Sequence, residues 1–152
     1  MALSKEQMAK KLATLVQPVV FDGVVADASD PDAGPVRNWA YWVALSHEVA
    51  VVVEVHKGWC GPSPIVLSVF QKWYLDIDEA DSRVAFAGAD PEGVAAVRDI
   101  KEVKANEKNC MPLFVVLRSG HIAGRVVGLN APGLRDFLDL SMPELPGEGE
   151  AA

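Results

Sequence analysis

The sequence predicts an α/β fold, a central sheet flanked by helices, and three stretches predict it. Val49 to Val55 crowds β-branched residues with Glu54 as its one polar interruption, which is the composition of a strand covered on both faces. Pro64 to Ala80 sets Ile65, Val66, Val69, Phe70, Trp73 and Ile77 at helical spacing. Pro112 to Leu117 and His121 to Val127 are apolar runs joined by Ser119-Gly120, a hairpin turn pair.

The remaining elements follow in chain order. Ser4-Lys5-Glu6-Gln7 is a capping-box pattern ahead of Met8, Leu12, Leu15 and Val16, which share a helical stripe and predict a helix from Lys5 to Val16. Gln17-Pro18 ends it, Val19 to Val25 reads as a short edge strand, and Ala26 to Pro35 is a loop rich in Asp, Pro and Gly. Arg37 to His47 predicts a helix whose Trp39, Trp42 and Val43 are packing residues, as are Trp73 and Tyr74 further on. Between Asp90 and Asn109, Val94, Val97 and Ile100 predict one helix that runs on through a polar end to Lys108. Gly128 stops the last strand, Ala131 to Leu140 is the closing helix, and the Pro/Gly/Glu tail after Ser141 is expected to be extended or disordered.

Composition narrows the function. With 152 residues, half of them hydrophobic, the chain can bury a sizeable core. A net charge of −7 argues against a nucleic-acid partner, which calls for a basic face. No apolar run approaches the roughly 20 residues that span a bilayer, and Met1 to Lys5 lacks the apolar block of a secretory signal. Two cysteines do not make a disulfide-stapled scaffold, so a reducing compartment is expected. His47, His56 and His121 are scattered, no metal-ligand spacing occurs, and no Gly-rich phosphate loop is present, so no metal and no cofactor are expected.

The chemistry concentrates at Trp59-Cys60-Gly61-Pro62-Ser63, directly after the buried strand. This is a dithiol redox motif whose second sulfur is replaced. In Cys-x-x-Cys sites the first thiolate attacks a disulfide and the second releases the mixed disulfide, so Ser63 leaves the first step open and blocks the ordinary second one. Strand, turn and helix place Cys60 at a helix N-terminus, where unpaired N–H groups and the helix dipole favour a thiolate.

Strand, Trp-Cys-Gly-Pro-x and amphipathic helix together resemble thioredoxin, over about Asn38 to Leu140. The resemblance implies a mixed sheet with an extra N-terminal helix. It also implies an organisation of extension (1–36), thioredoxin-like domain (37–141) and acidic Pro/Gly tail (142–152). It makes Glu54, six residues before Cys60, the counterpart of a buried acid beneath the active site. It makes Asn109-Cys110-Met111-Pro112-Leu113-Phe114 the segment that holds a cis proline against the nucleophile, with Pro112 the cis residue. Within the superfamily the chain is similar to the thioredoxin-like proteins of ciliary and flagellar axonemes, the outer-arm dynein light chains and thioredoxin–nucleoside-diphosphate-kinase fusions. Val53-Glu54-Val55, Phe70-Gln71-Lys72 and Gly128-Leu129-Asn130-Ala131-Pro132 carry that likeness. Those relatives usually keep both cysteines and an Asp where Glu54 stands.

Alternatives stay open at each site residue. Cys60 is either an adduct-forming thiolate or an inert remnant. Ser63 either donates to the Cys60 sulfur or caps the helix at Pro64, and capping is the simpler expectation. Glu54 is either a proton-transfer group with a pKa raised by desolvation or a carboxyl satisfied by a hydrogen bond. Trp59, Gly61, Pro62, Cys110, Met111 and Pro112 form the expected binding surface. Cys110 has a counterpart in some animal thioredoxins, where it pairs between chains. A disulfide within or between chains is open to it, but a free thiol is expected in a reducing compartment. The resemblance implies a non-catalytic or monothiol subunit of an axonemal complex, a dynein light chain binding protein partners without nucleic acid, membrane or metal, located in the cytoplasm at the cilium or flagellum. The alternative is a monothiol oxidoreductase whose adduct is resolved by glutathione or another external thiol.

Overall fold

The computed structural model describes residues 3–145. Five strands form one sheet in the order β1-β3-β2-β4-β5: β1 (Val16–Pro18), β2 (Ala50–Val55), β3 (Val84–Ala89), β4 (Leu113–Arg118) and β5 (His121–Val127). The three strands β1, β3 and β2 run parallel, whereas β4 pairs antiparallel with both β2 and β5, so the sheet is mixed. Every residue of β2 is buried, including Glu54, as its valine-rich composition requires. In β5 exposure alternates residue by residue, the pattern of an edge strand with one face in solvent. Ser119 (φ 58°) and Gly120 (φ 84°) both take the left-handed conformation that a two-residue hairpin of right-twisted strands demands.

Helices cover both faces. On one side α2 (Trp39–Leu45), α4 (Ala95–Arg98) and α5 (Lys101–Ala105) bring Trp42, Val97 and Val103 onto Val51, Val53, Val115 and Leu117. On the other, α3 (Pro64–Asp76) and α6 (Ala131–Ser141) pack Phe70, Trp73, Leu134 and Leu138 against Val52, Phe86, Phe114 and Val116. Phe70 is the centre of that face: its ring stacks on Phe86 at 4.7 Å and meets Phe114 edge-on at 6.1 Å. A side chain buried this fully contributes about 2–3 kcal/mol through removal of apolar surface from water.

The amino-terminal helix α1 (Lys5–Ala13) starts with the expected box, Ser4 Oγ accepting from the Gln7 N–H and Gln7 Oε1 accepting from the Ser4 N–H. It buries no residue completely. Met8 and Leu12 pack on the Phe70 side of the core, Gln71 Nε2 donates to the Leu12 carbonyl, and Lys11 pairs with Asp81 at 2.7 Å.

Four expectations require correction. Helix α1 ends at Ala13, and the edge strand occupies Val16–Pro18 rather than Val19 to Val25. Its partner β3 ends at Ala89, so a strand continuing to Val25 would have no ladder, and Val24 and Val25 are exposed. The single helix expected between Asp90 and Lys108 is two short ones, because Ile100 at φ −67°, ψ 132° is extended and turns its side chain into the core. The Met111–Pro112 bond is trans, as no cis bond occurs among the described residues. Trans is the intrinsically favoured form before proline, and the loop enters β4 without the alternative. Met142 leaves the last helix in the extended conformation expected of the tail and packs on the core, and the Pro143 carbonyl accepts from Arg83 Nε; residues 146–152 lie outside the described region.

Candidate functional site

The carboxyl ends of β2 and the loop before β4 converge on one edge of the sheet. Beyond Val55 the chain turns through Lys57, whose carbonyl accepts from the Cys60 and Gly61 N–H groups. Gly61 sits at φ +73°, a conformation side chains rarely adopt, and this reverses the chain into Pro62. Helix α3 begins only at Pro64, with Ser63 as its N-cap. Cys60 therefore lies in the turn just ahead of the cap, at the helix N-terminal end where the sequence places it.

The open reading of Ser63 resolves in favour of structure. Its Oγ accepts from the Val66 N–H at 3.4 Å, and its own N–H points to Glu54 Oε2 at 3.5 Å. Glu54 is 2% exposed. Burial pushes its carboxyl pKa up, and the Ser63 N–H only partly offsets this. Glu54 thus has a hydrogen-bond partner and a carboxyl pKa raised by burial. The neighbouring His56 is pushed the other way, since burial disfavours the imidazolium more than the Glu54 backbone and the nearby Asp90 charge favour it. An open cleft of about 550 Å³ runs beneath the motif, touched by Glu54, His56, Pro62, Ser63, Leu67 and Asp90.

On the other side of Cys60 the structure overturns the expectation of a free thiol. Cys60 and Cys110 form a disulfide, with Cα atoms 5.7 Å apart and a sequence separation of 50. Neither cysteine is free, so the site is not the monothiol that Ser63 implied. Cys110 reaches this position through a built loop. Asn109 Oδ1 accepts from the Met111 N–H, Asn109 Nδ2 donates to Asn106 Oδ1, and Asn106 Nδ2 donates to the Glu102 carbonyl. Lys57 Nζ donates to the carbonyls of both Asn106 and Asn109, which ties the Cys110 loop to the Cys60 turn. Its ammonium also lies 5.9 Å from the Trp59 ring centroid.

Lys57 was missed in the sequence. Its signal was weak: a cation two residues beyond the strand end, with nothing local to mark its partners about 50 residues away. Trp59 and Met111 are 63% and 51% exposed and flank the disulfide, while Pro62 is exposed and Pro112 half-buried. All nine expected site residues therefore gather at this edge: Glu54 and Ser63 beneath, Cys60 and Cys110 bonded, and Trp59, Gly61, Pro62, Met111 and Pro112 around them. Among the described residues no group of three His, Cys, Asp or Glu side chains is placed to hold a metal, and no helix is long and apolar enough to cross a membrane.

Comparison with known proteins adds an independent line. No family model matches the chain. It is 30% identical over 102 residues to the 14 kDa light chain of the flagellar outer dynein arm of Chlamydomonas reinhardtii, covering 65% of this chain and 73% of that one. It is 34% identical over 90 residues to a thioredoxin domain-containing protein 3 homolog of Heliocidaris crassispina and 33% identical over 91 residues to human thioredoxin domain-containing protein 6. These matches take in 59% and 60% of this chain but only 10% and 25% of the two relatives, so the chain spans a minor part of their length. Among solved structures, thioredoxin from Nicotiana alata superposes with a TM-score of 0.51, 18% identity, and coverage of 84% of this chain and 95% of that one. A chain from the complex of ferredoxin:thioredoxin reductase with thioredoxin f2 gives 0.52, 16% identity, and coverage of 83% and 94%. At such identities the superpositions establish the fold alone, and it is the thioredoxin fold.

Proposed function

We propose, from the fact that this chain belongs to the thioredoxin-like family that includes the 14 kDa outer-arm dynein light chain, that it is itself a light-chain subunit of a ciliary or flagellar dynein complex. The single observation that supports the reading most is the extent of that match, which takes in 73% of a relative of light-chain size rather than one module of a larger protein. The partner meets the chain at the Trp59, Cys60, Pro62, Met111 and Pro112 edge. Exposed Trp and Met side chains there supply contact area that is otherwise left in water. The Met111 N–H is already used by Asn109, so recognition at this edge relies on side chains more than on added strand pairing.

A tagged chain expressed in a ciliated cell tests this. It should sediment with demembranated axonemes and leave them, together with the outer-arm heavy chains, on salt extraction. A chain that stays in the soluble fraction, or remains on axonemes stripped of outer arms, contradicts the reading. Trp59→Ala combined with Met111→Ala should weaken axonemal retention while leaving the thermal unfolding midpoint close to that of the parent, because both side chains are exposed.

A further inference from the structure

We infer that Cys110 is the resolving cysteine of this site: it does for Cys60, from the loop before Pro112, what the fourth residue of a Cys-x-x-Cys motif does and what Ser63 cannot. The inference goes beyond the light-chain reading and stands independently of it.

Three observations carry it. First, the two sulfurs are bonded across segments whose Cα atoms lie 5.7 Å apart, a separation at which a disulfide forms without backbone movement. Second, the contacts that hold the two segments together do not involve sulfur. Lys57 Nζ on the Asn106 and Asn109 carbonyls ties one segment to the other, while the Asn109 side chain on Met111 shapes the loop and the Lys57 carbonyl on the Cys60 and Gly61 N–H groups shapes the turn, and none of these bonds needs the disulfide. The reduced thiols therefore stay side by side. Third, the bond is at the rim and not in the core: Cys110 is exposed, and Trp59 and Met111 stand in solvent on either side of it. Loop closure stabilises the fold equally from the rim or from the core, whereas exchange with another molecule requires the exposed position.

The step balances as follows. The Cys60 thiolate attacks one sulfur of a substrate disulfide, forms a Cys60–substrate bond and expels the other substrate sulfur as a thiolate. Cys110, having given its proton to solvent, attacks Cys60 Sγ, forms the Cys60–Cys110 bond and expels the second substrate thiolate. Two electrons pass from the cysteine pair to the substrate. An external dithiol returns two electrons and two protons by attacking the exposed Cys110 sulfur and expelling Cys60, itself becoming a disulfide. The substrate class is a protein or small-molecule disulfide accessible to an apolar rim.

The purified chain, reduced with dithiothreitol, desalted and mixed at low concentration with less than one equivalent of the aromatic disulfide 5,5′-dithiobis(2-nitrobenzoate), gives the test. Two aromatic thiolates should be released per reagent molecule, leaving a monomer that carries no adduct and is two hydrogen atoms lighter than the reduced chain. Cys110→Ser should release one thiolate and keep the adduct on Cys60. One thiolate per reagent with the adduct retained on the parent chain, a disulfide-linked dimer, or loss of the adduct from Cys110→Ser would each overturn the assignment.

Discussion

The two sides of Cys60 are built to opposite ends. On the helix side, Ser63 is committed to the α3 cap and to Glu54, and Glu54 is buried beneath it. On the loop side, Lys57 and the Asn106–Asn109 network spend their hydrogen bonds on carrying a second sulfur to Cys60. In a Cys-x-x-Cys site both thiols sit within one turn of chain, so their proximity comes from local geometry. Here proximity spans 50 residues and depends on tertiary structure, with a lysine as the tie.

Breaking the loop side should have the larger effect. By loop-closure entropy, a disulfide across 50 residues stabilises the fold by roughly 3–4 kcal/mol. Reduction, Cys60→Ser and Cys110→Ser should therefore lower stability by the same amount in urea titrations. The double variant should lose no more than either single one, and additive losses would show that the two sulfurs are not partners. Lys57→Met should cost about 2 kcal/mol, the scale of hydrogen bonds to a charged donor, and should also lower the fraction of disulfide at a fixed dithiothreitol ratio. A change in stability without a change in that fraction would remove Lys57 from the site.

The helix side should respond through stability alone. Because burial raises the folded-state pKa of Glu54 above its ordinary 4.5, the native state holds that proton more tightly than the unfolded chain. The contribution is fully present below about 4.5 and is lost as pH rises through the folded-state value. Glu54→Gln should thus gain on the parent as pH rises above about 4.5, by about 1–2 kcal/mol once the carboxyl is ionised, the scale of an under-solvated polar group. A gap that does not change with pH would contradict the buried, raised carboxyl. Ser63→Ala should cost about 1 kcal/mol for the lost cap and leave the disulfide fraction at fixed dithiothreitol unchanged. A change in that fraction would return Ser63 to the chemistry.

What was legible in the sequence follows the same division. The buried valine strand β2, the capped helix α3, the Ser119-Gly120 hairpin and the closing helix all declare themselves through local pattern, and they suffice to set the fold and to place Cys60 at its edge. Ser63 as a cap was readable because capping is a local contact. The features that were not readable depend on partners far along the chain. Strand β1 stops where β3 stops, and neither Val19 nor Val25 carries that information. Ile100 breaks a helical pattern because the core claims its side chain. Cys110 as the partner of Cys60 needed Lys57 and the Asn109 loop in three dimensions. The family likeness pointed instead to a cis proline and to a Cys110 that pairs between chains, and the expected reducing compartment pointed to a free thiol, since neither carries what this loop does.

The most direct test is the state of the two cysteines in the protein as it is isolated. If free thiols are blocked with N-ethylmaleimide at lysis and the chain is digested without reductant, mass spectrometry should find the peptides of Cys60 and Cys110 joined to each other, and joined again after a cycle of reduction and reoxidation. Maleimide on both cysteines after reoxidation, or Cys60 joined to any other thiol, would contradict a site that works across its two segments.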